Sequence, residues 1–181
     1  MIDYFKNHWQ QTEEDTHIID CMEKSSLILD VGCGFNQYKK YAKLPQYFKG
    51  IDIANEEADE VIDVLDYKTD KIFDLIICYG SINFYDKKWV EDRLAKVVNL
   101  LEETPGSRIC MKVNPGNPHA DGTMLEFFPW TMDYARDVSY KYGLVIENIR
   151  TKGSTGGRFK FDYVRSDYPY IKEVEDIYAL V

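Results

Sequence analysis

Three carboxylates stand at or just beyond the ends of apolar runs in the first half of the chain, and glycine accompanies two of them. The run Leu27-Ile28-Leu29 closes in Asp30-Val31-Gly32-Cys33-Gly34, where glycines let a ligand approach the backbone closely. About twenty residues on, Lys49-Gly50-Ile51-Asp52, followed by Ile53, ends the next run in a carboxylate, the position at which doubly wound folds hold ribose hydroxyls through hydrogen bonds. Then comes Val61-Ile62-Asp63-Val64-Leu65-Asp66, with a third acid in the corresponding place. An isolated D-x-G-x-G is equally a tight strand-to-helix turn with no ligand. The recurrence of acids is what points to binding.

Such residues need strands to carry them. The polar stretch Tyr4 to Lys24 places Ile18, Ile19 and Met22 at helical spacing and then changes abruptly to the Leu27–Val31 run, which reads as a buried strand. Further strands are predicted at Phe48–Ile53, Phe73–Cys78, Arg108–Val113 and Leu144–Ile149, with Phe159–Val164 as an alternating segment. Asp86 is placed to cap a helix whose apolar stripe is Trp89, Leu94, Val97, Val98 and Leu101, ended by Pro105-Gly106. A second helix is expected from Thr131 to Tyr142, with Gly143 as its stop. The fold class is therefore α/β: a doubly wound, mostly parallel sheet with ligands at the carboxyl ends of its strands. The short Thr151–Gly157 connection joins only antiparallel neighbours, so a C-terminal hairpin is expected. Eight residues separate Ile53 from Ile62, fewer than a helical crossover needs, so the second crossover should be shortened to a loop.

The 181 residues suit one domain: an N-terminal helical segment (1–26), a core sheet (27–165) and a C-terminal tail (166–181). Hydrophobic residues make up 45% and charged residues 29%, which excludes a disordered chain. No apolar run approaches the roughly 20 residues that span a bilayer, and no targeting signal is evident, so a cytoplasmic protein without membrane partners is expected. A net charge of -9 makes nucleic acid an unlikely partner, since nonspecific affinity for it comes from Lys and Arg. Cys21, Cys33, Cys78 and Cys110 show no C-x-x-C spacing and read as reduced, structural thiols.

Taken in order, D-V-G-C-G after strand one, G-I-D after strand two, an Asp after strand three and F-D-L-I-I-C opening strand four resemble the class I S-adenosylmethionine-dependent methyltransferase family. Leu100 to Arg108 is similar to that family's helix end and L-x-P-G-G-R turn, with Ser107 replacing the second Gly. The likeness spans Leu27 to Val164. It implies a seven-stranded sheet and S-adenosylmethionine as cofactor. Asp30 with the backbone of Gly32, Cys33 and Gly34 would hold the methionine part. Asp52 and Ile53 would take the ribose, Asp63 (rather than Asp66) with Val64 the adenine edge, and Tyr79 and Gly80 would line the remaining wall. A cleft of carboxylates suits a sulfonium cation that carries no phosphate.

The acceptor should lie over the strand tips, near Ser81, Asn83 and Asn114, with His119 the candidate general base. It is read as a small molecule or an exposed side chain. The (D/N)-P-P-(Y/F) signature of DNA-adenine enzymes is replaced here by Cys78-Tyr79-Gly80-Ser81. Tyr4, Phe5 and Trp9 are candidates for an aromatic lid, and Phe127-Phe128-Pro129-Trp130 either borders the acceptor entrance, closes the core or meets another subunit. His8 and His17 are read as surface residues lacking metal-ligand partners, and no metal is expected. Two other functions fit the same residues. A nicotinamide-dependent oxidoreductase would share Asp52 and the glycine loop, although Gln37 stands where the third glycine belongs. A non-catalytic scaffold or partner subunit would keep the fold without the chemistry.

Overall fold

The computed structural model describes residues 14–116, 126–151 and 158–167. His8, His119, the aromatic trio Tyr4, Phe5 and Trp9, and residues 168–181 of the tail lie outside them.

The elements run α1 (Thr16–Lys24), β1 (Ile28–Val31), β2 (Phe48–Asp52), β3 (Glu60–Val61), β4 (Leu75–Tyr79), α2 (Lys87–Leu100), β5 (Arg108–Val113), α3 (Met132–Tyr142), β6 (Leu144–Thr151) and β7 (Phe159–Arg165). They form one seven-stranded sheet in the order β3-β2-β1-β4-β5-β7-β6. Strands β1 to β5 pair in parallel, while β7 runs antiparallel to both β5 and β6. The mixed sheet and its antiparallel C-terminal hairpin are as the sequence predicts, with β7 inserted between β5 and β6.

Alternation along the strands sorts the core into two faces. Leu29, Val31, Ile76, Cys78, Ile109 and Met111 pack with Val90, Leu94 and Val97 of α2 and with Ala135 and Val138 of α3. Ile28, Phe48, Leu75, Ile77 and Cys110 face the other way, under Ile18, Cys21 and Met22 of α1. Those three follow an i, i+3, i+4 pattern, which puts one apolar stripe of α1 on the sheet. Both faces are covered, as a largely parallel sheet requires.

The crossovers depart from a strict strand–helix alternation. The second is a loop, as its length predicts, but the first also lacks an α-helix and carries only two 3₁₀ turns, Lys39–Tyr41 and Pro45–Tyr47. Gly34 and Asn36 both take left-handed φ (54° and 56°), which delays any helical start, and Pro45 opens the second turn.

Asp74, at the amino end of β4, accepts hydrogen bonds from the backbone N–H groups of Ser26 (2.6 Å) and Leu27 (2.8 Å) and so ties the entry of β1 to that of β4. It lies at the opposite edge of the sheet from the acidic tips of β1 and β2. Asp74→Ala should lower unfolding free energy by about 2 kcal/mol, because two charge-assisted bonds are lost. Urea denaturation measures this, and ligand affinity at the other edge should stay unchanged.

Candidate functional site

Asp30 and Asp52 end up on one face at the carboxyl edge. Asp30 pairs with Gly50 across the β1–β2 ladder, and Asp52 lies two residues further on, so both side chains project toward the α1 side. Both are buried, at 3% and 2% exposure. Burial, followed by the charge of Asp52, pushes the Asp30 carboxyl up to about 8. Asp52 is also raised by burial, although three backbone donors oppose it: Oδ1 accepts from Ala54 (2.8 Å) and Asn55 (3.0 Å), and Oδ2 from Gly34 (3.0 Å). Only Oδ2 keeps a clear further acceptor position. Ile53 follows directly, half-buried at the start of the loop.

The glycine loop is held by close packing. The N–H groups of Gly32 and Cys33 both donate to the Ile51 carbonyl (2.8 and 3.1 Å), which locks the loop onto β2. Gly32 has φ 71°, and a Cβ there would sit 2.5 Å from the Ser81 Cβ. The glycine thus lets the loops after β1 and β4 abut as well as leaving the backbone open to a ligand. Beside this contact the Ser81 hydroxyl is buried next to the Cys78 thiol, and the amide nitrogen of buried Asn55, beyond Asp52, makes no hydrogen bond. Cys33 is buried, and its thiol is pushed well up by that burial and by Asp30 and Asp52.

Tyr79 ends β4 and donates its hydroxyl to Asp15 Oδ2 (2.8 Å). Asp15 is the N-cap of α1, accepting from the His17 N–H (3.0 Å), and its Oδ2 also receives Lys160 Nζ (2.5 Å) from β7. Burial works to raise Asp15, but the Lys160 and Tyr79 hydrogen bonds outweigh it and hold the carboxyl down at about 2. Gly80 follows with φ 85°, where a Cβ would meet the Asn83 amide nitrogen at 3.9 Å.

The remaining sequence candidates are engaged in structural contacts. Asp63 pairs with Arg93 of α2, whose guanidinium lies 3.6 Å over the Trp89 ring, and its Oδ1 caps the Leu65 N–H (3.0 Å). Val64 beside it is buried, while Asp66 is exposed. Asn83 is buried and bridges two backbones: Oδ1 accepts from the Asn114 N–H (3.0 Å), and Nδ2 donates to the Lys112 carbonyl (3.3 Å). Asn114 Oδ1 accepts from the Gly116 N–H (3.0 Å), and the Asn114 carbonyl from Trp130 (3.1 Å). These two asparagines brace the loops after β4 and β5. Phe128 and Trp130 close the core, with Trp130 Nε1 donating to the Ile82 carbonyl (2.9 Å), whereas Phe127 stacks on Phe84 outside it.

One expectation needs correction. His17 is no free surface residue. Its Nε2 lies 2.7 Å from Oδ2 of the fully buried Asp162 and 3.5 Å from the Cys21 sulfur. The His17-x-x-x-Cys21 spacing, one helical turn, was the available signal. The pairing with Asp162, 145 residues away, had none.

No protein-family model matches the sequence, and no curated protein does. Solved structures do match. A 1,6-didemethyltoxoflavin-N1-methyltransferase from Burkholderia thailandensis, with S-adenosylhomocysteine and its acceptor bound, superimposes with a TM-score of 0.66 at 14% identity, over 84% of this chain and 76% of that one. A magnesium protoporphyrin IX methyltransferase from Synechocystis PCC 6803, with S-adenosylmethionine bound, gives 0.64 at 12% identity over 91% and 90%. An amino pentose methyltransferase from Micromonospora echinaspora, also cofactor-bound, gives 0.62 at 13% identity over 91% and 95%.

The raised Asp30 gives a signed pH dependence. The folded chain keeps a proton that the unfolded chain releases above the ordinary carboxylate range, so stability should fall as pH rises from about 4 to about 8. Asp30→Asn, similar in shape and neutral throughout, should flatten that slope. Denaturant midpoints at about pH 5 and about pH 8 measure it, and parallel profiles would show that Asp30 is ionised in the folded chain.

Proposed function

We propose that this chain, which has the class I S-adenosylmethionine-dependent methyltransferase fold, binds S-adenosylmethionine at the carboxyl edge of β1 and β2 and transfers its methyl group to a small molecule or an exposed side chain. The observation that carries this reading is the pair of buried carboxyls, Asp30 and Asp52, at the ends of adjacent strands, with no Lys or Arg among their ion-pair partners within the described residues. A ligand bearing an ammonium and a sulfonium supplies the missing positive charge, whereas a pyrophosphate would add to the negative. The buried Ser81 hydroxyl and the Asn55 amide nitrogen, the latter without a hydrogen bond, are further polar groups at this edge.

In this reading Asp30 ionises against the methionine ammonium while Gly32, Cys33 and Gly34 present the loop backbone. Asp52, fixed by its three backbone donors, accepts a ribose hydroxyl at Oδ2 next to Ile53. Asp63 and Val64 border the adenine, with Asp63 held in place by Arg93. Tyr79 and Gly80 form the far wall, and the Asp15–Lys160 pair fixes the Tyr79 ring. The cofactor supplies an electrophilic methyl, so the protein's task is to orient the acceptor and exclude water. Ser81 faces that space, Asn83 and Asn114 shape it, and His119 is the proposed proton acceptor.

Calorimetry separates this reading from its rivals. S-adenosylhomocysteine should bind and NAD should not; binding of NAD alone would indicate an oxidoreductase, and binding of neither a scaffold. Because a cationic ligand favours ionised Asp30, binding near pH 7 should release a proton, seen as a binding enthalpy that changes with the buffer. Asp30→Asn should abolish that buffer dependence and weaken affinity at least about tenfold, the scale of one charge-assisted contact. Asp52→Ala should abolish binding and, since three loop hydrogen bonds go with it, lower the unfolding midpoint as well.

A further inference from the structure

A second cluster lies on the α1 side of the sheet. His17 and Cys21 are one turn apart on α1 and share a face. Cys110 of β5 and Asp162 of β7 are direct cross-strand partners, so their side chains rise together from the sheet beneath that helix. One donor atom from each of the four lies within 4.8 Å of all the others. Cys21, Cys110 and Asp162 are all buried.

We propose that His17, Cys21, Cys110 and Asp162 form a structural zinc site that fastens α1 to β5 and β7. The donor set suits zinc, which takes thiolate, imidazole and carboxylate in tetrahedral array. Bonds of about 2.0 to 2.3 Å put neighbouring donors roughly 3.3 to 3.8 Å apart, within reach of side-chain rotation from the separations seen here. Binding replaces two S–H protons, which leave to solvent, and uses the Nε2 lone pair of His17 with its ring proton on Nδ1.

Three features favour a metal over a plain polar contact. Asp162 Oδ1 is buried without a hydrogen bond of ordinary geometry, its charged partner Arg150 Nη2 standing 3.6 Å away. Its other oxygen is oriented by Asn148 Nδ2 (2.8 Å) and Arg108 Nη1 (3.4 Å), the outer support that metal-binding carboxylates require. Asn148 reaches it from a β-bulge in β6, in left-handed conformation at φ 53°. Finally, Arg108 and Arg150, the latter 3.6 Å from Oδ1, offset the excess negative charge of two thiolates and a carboxylate around a divalent ion. The same residues do not make a nucleophilic triad, because Cys21 and Asp162 both meet His17 at Nε2, leaving no relay across the ring.

The test needs no methyl donor. Tag-free full chain, purified with reductant and without chelator, should carry equimolar zinc by mass spectrometry, and cobalt exchanged into the site should show thiolate-to-metal absorption with tetrahedral ligand-field bands. Cys21→Ser, at the helix edge, should keep the circular dichroism of the parent and lower zinc affinity at least about tenfold; Cys110→Ser should do the same. A reduced parent that takes up neither zinc nor cobalt overturns the proposal. So does uptake that Cys21→Ser leaves unchanged, or a Cys21–Cys110 disulfide that yields a metal-free chain on reduction.

Discussion

The architecture around the carboxyl edge turns on Asp15. One carboxylate caps α1, accepts the Tyr79 hydroxyl from the end of β4 and pairs with Lys160 from β7. A helix, a central strand and β7 are thereby joined at a single half-buried charge. A fully exposed ion pair contributes little, but a half-buried carboxylate held by several donors loses more when one of them is removed. The orientation of α1, and with it the covering of one whole face, depends on that balance.

Asp30, at the tip of β1, stands in the opposite condition. Asp15 is surrounded by donors and stays ionised, whereas Asp30 is desolvated next to another carboxyl and holds its proton. Two carboxylates near the same edge are thus shifted in opposite directions by their neighbours, and a cationic ligand of the kind proposed above would relieve the imbalance at Asp30. Gly32 adds a geometric constraint, since the loop carrying Asp30 rests directly on Ser81.

Much of this was legible in the chain because parallel strands covered on both faces appear as unbroken apolar runs, and because D-V-G-C-G and G-I-D fall where such runs end. The short Ile53–Ile62 interval also gave the missing second crossover helix correctly. The first crossover was less legible: its loss of helix depends on left-handed Gly34 and Asn36, which no periodicity reveals. Roles that depend on distant partners were hidden altogether. Lys160 meets Asp15, and Asp162 meets His17, across 145 residues, and Asp63 is pinned by an arginine thirty positions on. The clustering of His17 with Cys21 could have been read from their helical spacing, while Cys110 looked like one more apolar strand residue.

The insertion of β7 between β5 and β6 also bears on the order in which the chain can assemble. Arg108–Val113 is flanked on one side by β4, already synthesised, and on the other by Phe159–Val164, which emerges about fifty residues later. Until then the nascent β5 presents an apolar edge with unpaired backbone groups, the kind of edge that recruits stray strands. β7 also brings buried Asp162 and half-buried Lys160, the partners of α1. On the ribosome, therefore, the first helix cannot take its final seat until the C-terminal hairpin has been delivered, and truncation before Arg165 should leave a chain prone to aggregation rather than a smaller folded unit.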